Sequence, residues 1–175
     1  MAGLRDSVLS LLRAAVRSRP PGRAPAPGPG PGGGTADSPG RAGPWATTEA
    51  THVDRVRTSY SPAPDGDPDP GEIVWTWVPY EEGDGRGKDR PVLVVAREEA
   101  GTLLAVPLSS RDHDGHGDWL PLGPGPWDSR GRPSWVALDR VLRVHAQGMR
   151  REGATLDRDR FEAVADRLRR RYGWG

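Results

Sequence analysis

A chain of 175 residues has room for about one domain. Its formal net charge of +1 means that any affinity for nucleic acid must come from local arrangement and not from bulk charge. The absence of cysteine excludes a disulfide framework, a thiolate nucleophile and a cysteine-ligated zinc. Glycine and proline, at 24 and 19 copies, exceed ordinary usage and crowd into residues 20–44 and 61–71, so part of the chain cannot contribute to a core.

In chain order, Leu4, Val8, Leu11, Leu12 and Ala15 share one helical face, opposite Asp6, Arg13 and Arg17. The stretch is too short and too charged to span a bilayer, and it lacks the pattern of a secretory signal. A marginal helix over residues 1–19 is the plain reading, with a membrane-surface or partner-docking helix as the alternative. Residues 20–68 read as a disordered Pro/Gly-rich linker. Residues 1–45 together hold six arginines against two aspartates, a loose attraction for RNA or anionic lipid.

The folded domain is expected over residues 69–175. Ile73, Trp75 and Trp77 alternate with Val74, Thr76 and Val78, the period of a largely buried strand that Pro79 closes. The loop EEGDGRGKDR follows, polar throughout, and is expected to deliver Arg86, Lys88 and Arg90 to one place. A second strand begins at Pro91 and runs through Ala96, and a third spans Thr102 to Ser110. Trp119–Leu122 reads as a short edge strand because it contains Pro121. Ser134–Val144 reads as a longer strand, bulged or split near Asp139 and Arg140. Asp157 suits a helix N-cap, with Leu156 stapled to Phe161; Val164, Ala165, Leu168 and Tyr172 continue the apolar stripe. Five short strands and one terminal helix indicate a mainly β (α+β) fold, a small, bent, SH3-like β-barrel with a C-terminal helix.

The chemistry points to strand ends. A guanidinium at Arg90 can fork onto two phosphate oxygens, and Ser109 and Ser110 place hydroxyls at the neighbouring strand end. The run DHDGHGD, with His113 and His116 among its aspartates, has metal-ligand types, but its glycines suggest a floppy segment and no metal is expected. Trp75, Trp77, Trp119 and Trp135 read as core. Trp127, in a loop with Arg130 and Arg132, is the candidate base-stacking platform. His145 reads as structural. Phosphate-loop, nucleophile-elbow and zincin motifs are lacking.

Taken together, GEIVW, a charged glycine loop, DRPVLVV, LLAVPLSS, SWVALDRVLRV and GATLDRDRFEAVADRLRRRY resemble the MazF/PemK family of bacterial toxins, over roughly residues 70–172. The resemblance implies a dimeric barrel and a metal-independent endoribonuclease. It would cut single-stranded RNA in the cytoplasm, without a cofactor or membrane insertion, and be neutralised by a cognate antitoxin. The family's arginine before proline falls on Arg90, and its catalytic threonine on Ser109. Serine keeps the hydroxyl but loses the methyl that restricts the rotamer. Asp84 to Arg86 stand where the family's loop often has a Glu-Gln pair. Arg86, Lys88, Ser110 and Arg111 are the expected RNA-binding residues. Two alternatives are a catalytically silent module binding RNA or protein through the same surface, and action on topoisomerase, whose toxins share the fold.

Overall fold

A computed structural model describes residues 38–51, 53 and 55–175, the side chains of 151–153 excepted. The expected N-terminal helix and the linker through residue 37 lie outside the described residues. In order, the strands are β1 (Thr48–Glu49), β2 (Glu72–Pro79), β3 (Gly87–Arg97), β4 (Leu103–Ser109), β5 (Trp119–Gly123), β6 (Ser134–Ala137), β7 (Leu142–Val144) and β8 (Met149–Thr155). The helix α1 (Arg158–Tyr172) closes the chain.

The alternation in β2 and its neighbours builds two cores, one on each face of the sheet. Val74 and Val78 pack with Val92 and Val94 of β3, Leu103 and Ala105 of β4, Leu142 and Val144 of β7, and Met149. The opposite row, including Ile73, Leu93, Leu104, Val106 and Leu108, meets Phe161, Val164, Ala165 and Leu168 of α1. The antiparallel sheet runs β1-β7-β4-β3-β2-β8, with β6 paired to β4 and β5 to β6. Since β7 and β8 lie toward opposite edges yet are joined by residues 145–148 alone, the sheet must curl until those edges approach. That curl makes a bent half-barrel.

Helix α1 starts where its signals predict. The Asp157 carboxylate accepts the Arg160 N–H at 3.0 Å, satisfying one of the orphan donors of the first turn. Leu156 and Phe161 are both fully buried, as a staple across the cap requires. Gly173, in the left-handed region at φ 70°, ends the helix. Gly71 answers a different demand. Its φ is +103°, and a Cβ there would come within 2.8 Å of the Tyr60 ring.

Three expectations need correction. Residues 38–68 are not a structureless tether where they are described. Thr47 bonds Thr76 at 3.1 Å, β1 pairs with β7, Val56 enters the core, and the Tyr60 hydroxyl donates to the Leu156 carbonyl at 2.8 Å. Strand β3 begins at Gly87 and not at Pro91, so Lys88, Asp89 and Arg90 belong to a paired strand opposite β2. The split expected near Asp139 and Arg140 is present, dividing residues 134–144 into β6 and β7, which join β4 at different places. The described residues hold eight strands, not five: β1 and β8 carry no apolar alternation, and the split adds one more. The expected edge position of β5 matches its single neighbour, β6.

Candidate active site

An open cleft of about 870 Å³ lies where β3, β4 and the loops after β2 and β4 meet. Arg90 and Ser109 both line it. Strand pairing explains how they come together. Val92 lies opposite Pro107, and continuing that antiparallel register by two residues sets Arg90 across from Ser109. Side chains alternate, so Arg90 shares the face of Val92 and Val94, and Ser109 that of Leu103 and Ala105. Both therefore end the same row. The β3–β4 ladder stops at Val92, one residue short of Pro91, which has no N–H to continue it. β4 then leaves β3 and pairs Ser109 with Trp135 of β6, which opens the cleft.

Arg90 is half-buried, and among the described residues it makes no hydrogen bond or ion pair; its Nε is enclosed without a partner. Three of the arginines around it are committed. Arg150 holds Asp89 at 2.8 Å, Arg132 holds Asp128 at 2.8 Å, and Arg140 reaches Glu49 and the Pro79 carbonyl. A half-buried guanidinium without a counter-charge is costly unless an anion arrives to pair with it. Ser109 is 8% exposed. Its Oγ accepts the Arg111 N–H at 3.1 Å and lies 3.1 Å from Nε2 of His113.

A family model described as PemK-like, MazF-like toxin of type II toxin–antitoxin system matches residues 69–171. The chain belongs to this toxin family. Among solved structures it is similar to the MazE–MazF complex (Form-II) from Deinococcus radiodurans, at 23% identity and a TM-score of 0.43. That match covers 61% of this chain and 96% of the other. No curated protein matches it.

In this PemK/MazF-like toxin Lys88, Arg90 and Arg111 gather in one part of the cleft, close enough to act on one another. Burial holds the Lys88 amine below its ordinary pKa, and the charges of Arg90 and Arg111 add to the effect. Burial likewise lowers Arg90, with Arg140 and Arg111 pressing in the same direction against the opposing pull of Tyr80 and Glu81. A guanidinium so perturbed still keeps its charge. These are the conditions in which a phosphodiester would be attracted and held.

The expected residues divide. Arg90, Ser109, Lys88, Ser110 and Arg111 all line the cleft, the last two exposed. Arg86 does not. Its guanidinium is engaged by Asp84 at 2.5 Å and packs over the ring of Tyr80, a cleft residue, at 5.9 Å. Trp127 is no platform, being buried and donating to Ser134 at 3.0 Å. Of the tryptophans expected in the core only Trp77 is buried; Trp75, Trp119 and Trp135 are half-buried, and Trp75 and Trp119 line the cleft. His145 meets Trp45 edge-on at 5.7 Å.

His113 also lines the cleft, beside Ser109, which the sequence did not disclose. The DHDGHGD run is folded back by hydrogen bonds from His116 N–H to the His113 carbonyl and from Trp119 N–H to the His116 carbonyl. Its ring then lies flat on Trp119, centroids 3.6 Å apart and planes at 5°. Among the described residues no three His, Asp or Glu side chains are grouped to hold a metal, and no helix is long and apolar enough to cross a membrane.

Proposed function

We propose that this toxin is an endoribonuclease that cleaves single-stranded RNA by attack of a ribose 2′-hydroxyl on the adjacent phosphorus. The products would be a cyclic phosphate and a 5′-hydroxyl. The observation that supports this most is Arg90, a half-buried cation with no partner among the described residues, set beside the Ser109 hydroxyl at the end of one strand row. Negative charge grows on the phosphoryl oxygens as the 2′-oxygen bonds to phosphorus. A guanidinium already desolvated and aimed at that position stabilises the transition state more than the ground state. Ser109 would hydrogen-bond the attacking 2′-hydroxyl beside that phosphate, and Lys88 and Arg111 would hold flanking phosphates. Arg86, paired with Asp84, contributes little by this account.

The nucleophile belongs to the substrate, so the protein has to supply orientation and charge, not an attacking group. A duplex would hold its 2′-hydroxyl and scissile bond out of line for this attack and its base edges out of reach; single strands are free of both restraints. As a member of a toxin–antitoxin family, the chain would be neutralised by a protein partner that covers this cleft, and it would act as a homodimer in the cytoplasm.

The test is cleavage of a long unstructured RNA in buffer containing a chelator. Wild-type protein should produce cyclic-phosphate ends, and Arg90→Ala and Ser109→Ala should not. RNA binding without cleavage at high protein concentration would favour the silent binding module. Co-purification with topoisomerase and no RNA cleavage would favour the third alternative.

A further inference from the structure

We infer that His113 accepts the proton of the attacking 2′-hydroxyl, acting through Ser109. The inference rests on the ribonuclease reading and assigns that reaction's proton path. Three features of the cleft carry it.

The first is contact. Ser109 Oγ already accepts the Arg111 N–H at 3.1 Å, so its own proton is free to point elsewhere, and Nε2 of His113 stands 3.1 Å away. The second is orientation. The imidazole lies flat on Trp119, with Trp135 edge-on at 6.4 Å, and this packing presents Nε2 to the hydroxyl. The third is a lack of competitors. The cleft's other carboxylates are engaged or exposed: Asp89 is held by Arg150, Asp128 by Arg132, and Glu81, Glu82 and Asp139 are exposed, with no hydrogen bond to Ser109. His113 is the one that touches Ser109.

The electrostatic surroundings suit an acceptor. Burial lowers the His113 pKa first; His116 and Arg111 from its own loop and Arg90 from β3 lower it further, and only Asp112 opposes them. Trp119 of β5 and Trp135 of β6 face it without charge. The imidazole is therefore neutral at neutral pH and can take a proton.

The step balances. As the 2′-oxygen bonds to phosphorus, its proton passes to Ser109 Oγ while the Ser109 proton passes to Nε2. The bond from phosphorus to the 5′-oxygen breaks, and its electron pair leaves with that oxygen, which is protonated by water in the open cleft. The imidazolium returns its proton to solvent. His113 is thus a positioning and proton-accepting residue, since Ser109 and not His113 meets the reacting oxygen.

His113→Gln tests this in the full chain, because an amide can still hydrogen-bond Ser109 but cannot accept a proton. Cleavage of an unstructured RNA oligonucleotide is followed from about pH 5 to 8, the range in which a histidine changes charge. Wild-type rate should rise with pH through a midpoint below the ordinary histidine value and then level. The variant should lose that acid limb and fall by roughly 10²–10⁴-fold on the plateau, as expected for losing a general base. Its affinity for an all-deoxy analogue, which has no nucleophile, should stay that of the wild type. A variant with wild-type rates, or a slower one that keeps the same acid limb, overturns the inference alone. A wild type that binds RNA but never cleaves it overturns the ribonuclease reading and this inference with it.

Discussion

Arg90 and Ser109 lie two residues beyond the Val92–Pro107 pair on adjacent strands, on one face, at the point where β4 leaves β3 to pair with β6. The divergence opens a gap between two side chains that a continuous sheet would have paired and covered. The site is thus a product of topology as much as of residue type, and it makes Arg90 unfavourable to the fold and useful to an anion.

That conflict predicts opposite effects from one substitution. Arg90→Met keeps an apolar stem along the strand and removes the charge. Cleavage should fall by roughly 10²–10³-fold, the usual effect of losing one preorganised charge-stabilising group. Stability should be unchanged or rise by on the order of 1 kcal/mol, because an enclosed donor without a partner has been removed. Parallel kinetics and denaturant unfolding check both, and a clear loss of stability would show that Arg90 serves the fold.

RNA affinity should depend on salt through the cations that line the cleft. Lys88→Ala and Arg111→Ala should each lower the slope of log affinity against log salt by about 0.7, the value for one phosphate contact on a single strand. Arg86→Ala should leave the slope close to wild type, since Asp84 already neutralises that guanidinium outside the cleft. Titration of an all-deoxy oligonucleotide at several salt concentrations measures all three.

Trp127 is expected to act through stability and not through RNA. It is 4% exposed, lies over Gly125, where a Cβ would come within 2.1 Å of its ring, and donates to Ser134 at 3.0 Å. Trp127→Phe retains most of the apolar volume but strands the buried Ser134 hydroxyl, so unfolding should become easier by about 1–3 kcal/mol. RNA affinity of the folded variant should not change. Binding measured under conditions where the variant is fully folded separates the two effects.

What could be read beforehand follows a physical rule. β2, β3, β4 and α1 carry their own periodicity, so Ile73, Val92 and Phe161 declare their faces without reference to anything distant. Asp157 is equally local, because a cap needs only the N–H groups that follow it. β8 has no such signal. Met-Arg-Arg-Glu-Gly-Ala-Thr becomes a strand by pairing with β2, Glu72 opposite Thr155, an interaction dictated by the partner and not by its own side chains. Residues 38–68 were illegible for the same reason: turns, proline and polar groups dominate them, and their place depends on single contacts such as Thr47 with Thr76. In the site, Ser109 was visible as a strand end and Arg90 by its place before Pro91, although its strand runs back to Gly87. His113 was not, because its meeting with Ser109 depends on how the loop turns back and on the Trp119 ring beneath it.

One surface pair should shape the acid stability of the fold. Arg143 of β7 donates to both carboxylate oxygens of Glu98, with Nε 2.7 Å from one of them, and Thr102 bonds the same group. The Arg143 hydrogen bonds hold the Glu98 pKa below its ordinary value in the folded chain, against the opposing effect of partial burial. A carboxylate whose folded-state pKa is depressed contributes stability that is complete above its unfolded value and is lost as pH falls through the folded one. The contribution should be modest, about 0.2–1 kcal/mol, and smaller in high salt, since both side chains reach water. Glu98→Gln should therefore lower stability at neutral pH but leave it nearly the same as wild type once both are below that acid range. Denaturant midpoints measured across the acid limb should converge; curves that stay parallel to the lowest pH would mean that the pair contributes nothing through ionisation.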